Sequence, residues 1–544
     1  MCAHRNESKT QRALGSAASC TLECIAAVHT RKCSADRKWG KPAAAIALAA
    51  LALIATPRTA EAAAVPCENL VGLKLEATVI SEARMVPAGP FTVQGFTGPT
   101  SADLPAFCRV SGSIRPTADS DIRFEVWLPA ANWNGRFEAI GNGGLGGMIG
   151  YQEMTEALRG GYATAASDTG HKGTPATGEW ALGHPEKVVD FGYRSVHEMT
   201  MKAKALIAAY YGSAPHRSYW NGCSEGGGQA LSEAQRYPAD YDGILAGAPA
   251  NYVVHLQAGG NWINQAIHKD PASFLPVAKL PAINAAVMAQ CDAADGVKDG
   301  VLEDPRTCHF DPGVLLCKGE DSPTCLTSSQ IDGLKKVYEG ARNPRTGEQV
   351  FPGIARGGEL GWGLWIAGTD VPPSNIQHAI SVAFFSNFVF GNQNWDWKSF
   401  DFDKDVALAD SKLGAVVNQI NPDLSAFKQR SGKLLQYHGW NDPAISPLNS
   451  INYFNSVQEK MGDNQDIYRL YMAPGMEHCM GGPGPNQFDR MGTIVQWVEK
   501  GQAPDRIIAS RPGRTRPLCP YPKVAKYQGS GSTDEAQNFA CSLP

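Results

Sequence analysis

The sequence lacks the clusters of basic and aromatic residues that line nucleic-acid-binding grooves. Its 49 Lys and Arg are nearly balanced by 53 Asp and Glu, so the formal net charge is only −4. The two signs are mixed along the chain, and such a surface does not attract a polyanion over a long range. We therefore expect no nucleic-acid partner.

Long apolar runs are also missing, apart from one near the N-terminus. There, a basic stretch around Arg37 and Lys41 leads into the alanine-rich segment 43–55, and a small-residue site follows at 60–62. This order is typical of a secretory leader, and the run is too short and too alanine-rich for a membrane span. We expect a leader over residues 1–64, a secreted or periplasmic protein, no further segment long enough for a span, and no membrane partner.

Paired C-x-x-C arrangements, which many zinc sites use, are absent after the leader. The sequence has 14 cysteines, and the predicted leader contains Cys2, Cys20, Cys24 and Cys33, which leaves ten. An even number of cysteines in an exported chain indicates disulfides. Ten cysteines permit many pairings, and spacing alone does not choose among them.

The chain is longer than one ordinary domain, because 544 residues exceed the usual size of a single hydrophobic core. Strand-like and helix-like runs alternate from residue 122 to 248 and again after 434, which indicates a mainly parallel sheet covered by helices. Between these parts the alternation stops. We predict a core in two parts, 65–249 and 431–544, interrupted by an inserted lid domain at 250–430.

The predicted elements follow from apolar periodicity and from turn residues. A β-rich piece at 67–120 precedes them. The predicted strands are Ile122–Leu128, Arg136–Ile140, Gly160–Ser167, Ser218–Asn221, Ile244–Ala248, Leu434–His438 and Ile467–Met472, and the predicted helices are Val196–Tyr211, Gln229–Arg236 and Phe488–Lys500.

A G-x-S-x-G motif, Gly222 to Gly226, lies between a predicted strand and a predicted helix. This is the context of a nucleophile elbow, in which glycines permit a turn tight enough to hold the serine clear of the sheet. Ser224 is the predicted nucleophile, and the main-chain N–H of Glu225 is a predicted donor to the oxyanion. The alternative is a glycine-rich turn with an incidental serine.

The glycine-rich loop 141–147 follows the predicted strand Arg136–Ile140 directly. Such a loop brings backbone N–H groups close to a substrate oxygen, so we predict Gly143 and Gly144 as further oxyanion donors. The competing interpretation is a phosphate-binding turn. The loop has neither the Lys-Ser/Thr of a P-loop nor a G-x-G-x-x-G followed by an acidic residue.

Asp442 and His478 each follow a predicted strand, in the chain order Ser, Asp, His that the α/β-hydrolase fold uses. A serine hydroxyl needs a base, so His478 is predicted to accept its proton and Asp442 to orient the imidazole. His438 is the main competitor as base, but it lies within the strand that presents Asp442. These residues predict an α/β-hydrolase core with a large inserted lid domain.

Two cysteines flank the predicted catalytic residues, because Cys223 precedes Ser224 and Cys479 follows His478. In an oxidising compartment, a bridge between them would fasten the nucleophile turn to the histidine loop. Closing so long a loop stabilises a fold in the chain-entropy model. The alternative is that the two cysteines are unrelated.

The insertion contains Asp292, Asp295 and Asp299 among glycines. Carboxylates spaced this closely repel one another unless a hard cation bridges them, and calcium accepts carboxylate and main-chain oxygens in a flexible loop. We predict a structural Ca²⁺, although the spacing differs from that of an EF-hand. The alternative is a solvated acidic turn.

From about Cys67 to Cys541 the sequence resembles the tannase and feruloyl esterase family, which includes the hydrolase of mono(2-hydroxyethyl) terephthalate. The resemblance rests on specific motifs. They are Trp133-Asn134-Gly135-Arg136, Cys223-Ser224, His478-Cys479, the loop Asp292–Val301, Asn387-Phe388-Val389-Phe390-Gly391 and Asn394-Trp395-Asp396.

The resemblance implies an α/β-hydrolase with a lid, a Cys223–Cys479 disulfide, and calcium bound by the three aspartates with the carbonyls of Val297 and Val301. It also implies cysteine pairings that the spacing does not determine. These are Cys67–Cys108, Cys291–Cys308, Cys317–Cys325 and Cys519–Cys541.

The function that follows is hydrolysis of a small aromatic ester, of plant or polyester origin, through an acyl-serine intermediate. One alternative is a mono(2-hydroxyethyl) terephthalate hydrolase, another is an acyltransferase with the same triad, and a third is a binding protein on an inactive hydrolase fold. At least one of the aromatic residues in the insertion is expected to set acyl specificity by lining a flat apolar slot for an aromatic acyl group. The alternative is that these rings only form the lid's own small core. They are Phe384, Phe385, Phe388, Phe390, Trp395 and Trp397.

Overall fold

A nine-stranded mixed sheet forms the centre of the computed structural model, which describes residues 64–93, 101–368 and 374–544. The predicted leader lies almost entirely outside the described residues. The strands of this sheet are, in chain order, β1 Thr78–Val86, β2 Phe107–Ile114, β3 Ile122–Pro129, β4 Arg136–Ile140, β5 Ala163–Ser167, β6 Arg217–Cys223, β7 Gly243–Gly247, β8 Lys433–Gly439 and β9 Tyr468–Ala473.

The spatial order is β1-β2-β3-β5-β4-β6-β7-β8-β9. Strands β1, β2, β3 and β5 pair antiparallel, and every pairing from β5 through β4 to β9 is parallel. The central strands are buried on both faces, which explains why β5 and β7 are continuous runs of small and apolar residues. Because parallel strands share one direction, the loops after β4, β6, β8 and β9 meet at one edge of the sheet.

Helices cover both faces of the sheet and make up most of the insertion. Gly212, with φ of +75°, ends the long helix after β5 in the left-handed region. The helices are α1 Tyr151–Arg159, α2 Pro185–Val189, α3 Ser195–Tyr211, α4 Glu225–Arg236, α5 Val253–His268, α6 Leu280–Cys291, α7 Ser328–Glu339, α8 Ile376–Ala383, α9 Lys404–Ala409, α10 Ala415–Val417, α11 Ser425–Gln429, α12 Pro447–Met461 and α13 Arg490–Lys500.

Shorter elements fill the loops. Four two-stranded sheets pair Gly89–Phe91 with Ser101–Leu104, Gly340–Arg342 with Gln349–Pro352, Ile507–Arg511 with Arg514–Leu518, and Val524–Tyr527 with Phe539–Ser542. Turns of 3-10 helix lie at Cys67–Gly72, Glu179–Ala181, Pro271–Ser273, Val277–Lys279, Asp292–Asp295, Pro305–Thr307, Pro312–Leu315, Glu359–Gly361, Trp397–Ser399 and Ala536–Asn538, and π-helical turns at Asp190–Arg194, Gly363–Ala367, Phe384–Val389 and Asp410–Gly414.

The inserted segment between β7 and β8 contributes no described strand to the main sheet. It contains α5 to α11 and packs around two apolar clusters of its own. One of these clusters also takes in Leu145 from the glycine-rich loop and Phe191 from the core. The segment therefore forms one compact unit with the sheet, and the boundaries at residues 250 and 430 stay a prediction.

The predicted secondary structure agrees with the observed elements. The strand Arg136–Ile140 matches β4 at both ends, and the other predicted strands differ from β3 and β5 to β9 by only a few residues at their ends. The predicted helix Gln229–Arg236 is extended in the structure, because α4 begins at Glu225 directly after the elbow. The glycines that follow the nucleophile, Gly226, Gly227 and Gly228, are helical, which apolar periodicity does not reveal.

Five disulfides join the ten cysteines that follow the leader, with the pairings that the family resemblance implies. They are Cys67–Cys108, Cys223–Cys479, Cys291–Cys308, Cys317–Cys325 and Cys519–Cys541. Such a set is typical of proteins in an oxidising compartment.

The expectation that no segment after the leader is long and apolar enough for a membrane span is wrong. Pro271–Asp295 passes that test by length and composition alone. This stretch is divided among 3-10 turns and α6, and α6 buries one face, with Leu280, Ile283 and Val287 in an apolar cluster of the insertion. Packing of that face accounts for the apolar composition.

Candidate active site

Ser224 lies on a sharp turn between β6 and α4, as the motif predicts. Its backbone has φ of +64° and ψ of −121°, a conformation that costs about 1–3 kcal/mol for a residue other than glycine. A Cβ at Gly222 would collide with the main chain of Gly226, and one at Gly227 would collide with the carbonyl of Gly247. The neighbouring glycines thus permit the close packing that holds Ser224 in this conformation.

The structure brings Ser224, His478 and Asp442 together at the carboxyl edge of the sheet. His478 Nε2 lies 2.9 Å from Ser224 Oγ, and His478 Nδ1 lies 2.8 Å from Asp442 Oδ2. The three residues follow β6, β9 and β8, so their spacing is set by neighbouring parallel strands. These contacts form a continuous path for a proton from the serine hydroxyl to the imidazole.

Asp442 is fully buried and has four hydrogen-bond donors around it. The N–H groups of Ala444 and Ile445 donate to Oδ1 at 2.8 and 2.9 Å, and His478 and His438 approach Oδ2. Burial by itself would raise the pKa of Asp442, but the electrostatic interaction with His478 and the hydrogen bonds from both histidines outweigh it and hold the pKa below its usual range. Asp442 therefore stays ionised beside the imidazole.

His438 is a polar residue of this site whose position the sequence left open. Its Nε2 lies 3.1 Å from both Asp442 Oδ2 and the carbonyl of Ile445, and its Nδ1 lies 2.7 Å from Ser450 Oγ. Because Nε2 faces two acceptors, it carries the proton, and Nδ1 accepts from Ser450. His438 therefore supports the carboxylate, and none of its hydrogen bonds goes to Ser224.

The glycine-rich loop 141–147 packs directly against the elbow. Gly226 N–H donates to the carbonyl of Asn142 at 2.8 Å, and Asn142 N–H donates to Gln229 Oε1 at 3.1 Å. These two hydrogen bonds join α4 to the loop between β4 and α1. The predicted oxyanion loop and the predicted nucleophile are therefore held as one unit.

The three predicted oxyanion donors are main-chain N–H groups without an acceptor. Within the described residues, the N–H groups of Gly143, Gly144 and Glu225 donate no hydrogen bond to the protein. A Cβ added at Gly143 would meet open space, so the loop is accessible there. Free N–H groups at the start of a helix and on an adjacent glycine loop are suited to binding a developing negative charge.

The side chain of Glu225 is buried beside the nucleophile. Burial raises its pKa to about 8, so the carboxyl is mostly neutral at pH 7. A neutral acid adds no negative charge against an oxyanion formed at Ser224. The sequence predicted no role for this side chain, because the motif indicates a function only for the main-chain N–H of Glu225.

The segment 358–365 of the insertion covers the loops that carry Asp442 and His478. A Cβ at Gly361 would lie 2.8 Å from the carboxyl carbon of Glu477, next to His478. The ring of Trp365 meets the ring of His478 edge-on, with centroids 5.1 Å apart. Trp365 is an aromatic residue beside the triad that sequence reasoning missed, since it precedes the aromatic run that was singled out.

That aromatic run packs mainly within the insertion. Phe384 and Phe385 are fully buried, and Phe388 is 9% exposed and packs edge-on to Trp180 with centroids 4.9 Å apart. Trp397 contacts the ring of His378 instead. Among the described residues, none of the six predicted rings has a ring contact with His478, so a direct role in the acyl slot stays a prediction.

The acidic loop folds so that its carboxylates bind its own backbone. Asp292 accepts hydrogen bonds from the N–H groups of Asp299 and Gly300, and Asp295 accepts them from Val297 and Glu303. Burial raises the pKa of Asp295, and the negative charges of Asp299 and Asp292 add to this shift. Oxygen donors of the kind that calcium prefers are therefore gathered and partly desolvated in one loop.

Two arginines from the C-terminal region also reach this loop. Arg516 Nη2 lies 2.5 Å and Arg514 Nη1 3.3 Å from Asp299 Oδ2. Within the described part of the chain, no three carboxylates of the loop have oxygens within 4.8 Å of one another. The donor chemistry fits a hard cation, and Arg516 competes with such a cation for Asp299.

The acidic loop contacts the loop that carries His478. A Cβ at Gly475 would lie 3.0 Å from Val301 Cγ2. A cavity lined by Asp295, Asp299, Glu303, Arg516, Val301, Pro474 and Pro485 lies between the two loops. The predicted metal ligands are thus distant from the triad in sequence and adjacent to its histidine loop in space.

Known proteins of one family are similar to this chain. The family model described as tannase and feruloyl esterase matches residues 108–542. An uncharacterized esterase of Xanthomonas campestris pv. campestris is 40% identical, covering 91% of this chain and 94% of that protein. A mono(2-hydroxyethyl) terephthalate hydrolase of Piscinibacter sakaiensis is 32% identical, covering 86% and 89%.

The similarity extends to a solved structure. The crystal structure of feruloyl esterase B from Aspergillus oryzae superposes with a TM-score of 0.81 at 30% identity, and the match covers 88% of this chain and 99% of that one. The resemblance and the fold class predicted from the sequence are thereby confirmed. The chain belongs to the tannase and feruloyl esterase family, and it is a carboxylic ester hydrolase with an α/β-hydrolase core and a large insertion.

Proposed function

We propose that the protein hydrolyses esters between an aromatic acid and an alcohol or sugar through an acyl-serine intermediate. The observation that carries this proposal is the hydrogen-bonded path from Ser224 Oγ through His478 to Asp442, beside three free N–H groups. A binding protein on an inactive fold would not need this arrangement.

The geometry supports a two-step reaction. Ser224 Oγ attacks the ester carbonyl carbon while His478 Nε2 takes the hydroxyl proton, and the N–H groups of Gly143, Gly144 and Glu225 bind the oxyanion. The bond to the alcohol oxygen breaks as His478 returns the proton to that oxygen, which leaves the acyl-serine. Water then attacks the acyl carbon while His478 takes one of its protons. The bond between the acyl carbon and Ser224 Oγ breaks as His478 returns the proton to Oγ, which releases the acid and restores the serine.

An aromatic acyl group is supported by the ring of Trp365 and by the names of the relatives. The edge-on contact of Trp365 with His478 places an aromatic ring beside the histidine of the site, and aromatic pairs contribute about 0.5–1.5 kcal/mol beyond burial. The relatives are named for feruloyl and terephthalate esters. We propose that this chain takes an ester of the same aromatic type.

A substrate panel tests the proposal. Methyl ferulate, methyl gallate and mono(2-hydroxyethyl) terephthalate are compared with ethyl butyrate, and Ser224→Ala is the control. We expect an aromatic ester to give the highest kcat/KM and the control to be inactive. A preference for the butyrate would contradict the aromatic assignment. Repeating the assay with an added alcohol and analysing products separates hydrolysis from acyl transfer.

We further propose that the acidic loop binds a structural Ca²⁺ through Asp292, Asp295 and Asp299 with the carbonyls of Val297 and Val301. Calcium would supply positive charge and join the ends of the loop. The experiment measures the melting temperature of protein treated with a chelator, before and after adding Ca²⁺ or Mg²⁺. A rise with Ca²⁺ alone, lost in Asp292→Asn, is expected. Equal melting temperatures throughout would show that Arg516 and the loop's own backbone suffice.

Secretion, to the medium or the periplasm, is proposed from the leader-like N-terminus and the five disulfides. N-terminal sequencing of protein collected from culture fractions tests it. Mature protein that begins near residue 64 in the exported fraction is expected, and unprocessed protein retained in the cytoplasm would contradict it.

A further inference from the structure

Leu145 is one of the residues that fix the glycine-rich loop, and it is the one next to Gly144. Its N–H donates to the carbonyl of Pro175 at 2.7 Å, and its own carbonyl lies 2.9 Å from Nε2 of His171. Its side chain is buried in the apolar cluster that the insertion forms. Hydrogen bonds therefore hold the peptide groups on both sides of Leu145, which directly follows Gly143 and Gly144 in the chain.

His171 has one proton to donate, and the structure specifies where it goes. The ring is buried, and its Nδ1 has no hydrogen-bond partner among the described residues. A carbonyl only accepts, so Nε2 carries the proton. Burial lowers the pKa of His171 to about 4, so the ring is neutral at pH 7 and this single donor is directed at Leu145.

A stack of rings holds His171 in place. The imidazole lies flat on Trp180, with centroids 3.6 Å apart and planes 13° from parallel. Trp180 in turn meets Phe388 of the insertion edge-on. The loop also passes close to the imidazole, because a Cβ at Gly146 would lie 3.1 Å from His171 Cε1. The path from the insertion to the loop is thus continuous: Phe388, Trp180, His171, Leu145.

We infer that His171 is a positioning residue for the oxyanion-binding loop, and that Trp180 and Phe388 connect this loop to the packing of the insertion. The inference rests on the proposed function, since it requires that Gly143 and Gly144 bind an oxyanion. His171 does not contact the reacting atoms; it acts through the carbonyl of Leu145. Phe388, one of the aromatic residues expected to bind the acyl group, therefore affects turnover by a different route.

Three variants separate the hydrogen bond from the stacking. His171→Phe keeps the ring and removes the donor, and His171→Gln keeps a donor and removes the ring. His197→Phe is the matched control, because His197 also stacks on a ring, Tyr237, and has a hydrogen bond to Asp240, and neither partner belongs to the glycine-rich loop. Active-site titration normalises kcat to folded enzyme in every case, and Trp180→Phe replaces the first variant if it does not fold.

We expect His171→Phe to lower kcat about tenfold with KM nearly unchanged, less than the 10²–10³-fold loss for a missing oxyanion donor. His171→Gln should recover most of kcat, and His197→Phe should leave kcat at the wild-type value. The Ki of phenylboronic acid, whose tetrahedral serine adduct uses the same donors, should rise by the factor by which kcat/KM falls.

Unchanged kcat and Ki in His171→Phe, or an equal fall in His197→Phe, would overturn the inference. Ser224→Ala keeps this outcome distinct from failure of the proposed function. If Ser224→Ala is inactive while His171→Phe is unaffected, only the positioning role is wrong. If Ser224→Ala keeps its activity, the proposed function is wrong as well.

Discussion

The carboxyl edge of the sheet and the insertion above it are organised by different forces. At the edge, Ser224, His478 and Asp442 are fixed by hydrogen bonds of 2.8–2.9 Å and by the ends of the parallel strands β6, β9 and β8. In the insertion, rings such as Phe384 and Phe385 are fixed by mutual packing. The edge determines which reaction is possible, and we expect the insertion to determine which ester undergoes it and how well the loops are held.

The largest effect is expected at the edge. Ser224→Ala should lower kcat by about 10⁶-fold, and adding His478→Ala should lower it little further, because triad members act as a unit. Single-turnover assays and melting curves check this, and the melting temperature should stay close to that of the wild type. Losses that multiply in the double variant would contradict a shared role.

The next largest effect, on the free energy of unfolding, is expected from the disulfide that joins the Ser224 turn to the His478 loop. Replacing both Cys223 and Cys479 with alanine removes a crosslink between residues 256 positions apart, which in the chain-entropy model costs about 5 kcal/mol of unfolding free energy. Denaturant unfolding measures it. The matched control is the Cys317–Cys325 pair, 8 positions apart, whose removal should cost less and leave kcat unchanged. Equal costs would show that loop length is not what matters.

A smaller effect, on KM, is expected from Trp365, a residue of the insertion that contacts the site at the edge of the sheet. Trp365→Ala should raise KM for methyl ferulate about tenfold, equivalent to roughly 1.4 kcal/mol, and change KM for ethyl butyrate little. Trp397→Ala is the control, because its ring packs on His378 and, among the described residues, has no ring contact with His478. Steady-state kinetics with both esters measures the two changes in KM. A parallel rise for both esters would make Trp365 a packing residue only.

The smallest effect is a pH dependence at Glu225. The folded pKa of about 8 exceeds the ordinary 4.5, so this group's stabilising contribution is complete below pH 4.5 and is lost as the pH rises through 8. Glu225→Gln should therefore lose less stability between pH 5 and pH 9, and its kcat/KM should decline less above pH 8. Melting temperatures and rates across that range test this, and identical profiles would contradict it.

The residues of the edge were predictable because the signals are local. The motif around Ser224 and the strand-then-loop context of Asp442 and His478 are visible in short stretches of sequence. The proximity of His438 to Asp442 could also have been predicted from the sequence, since the two residues are only four positions apart. The sequence did not reveal that the His438 side chain contacts Asp442 and not Ser224, because this depends on the turn at Ala444 and Ile445.

Contacts between distant segments could not be predicted in the same way. Arg516 lies 217 residues from Asp299, and nothing near either one signals the pair. Trp365 reaches His478 only because segment 358–365 packs over two loops of the core. The rings from Phe384 to Trp397 were easy to notice, and three of the six are buried, because Phe384, Phe385 and Phe388 pack against one another on a short helix.

The disulfide between Cys223 and Cys479 also governs how the enzyme withstands damage to its chain. It encloses the entire insertion in a covalent ring, with Ser224 and His478 just inside the two ends. A protease that cuts the backbone once anywhere in that ring leaves both fragments attached at the site where the serine and the histidine meet. A nicked molecule therefore migrates as two fragments only after reduction, and a single cut leaves Ser224 and His478 joined through the disulfide.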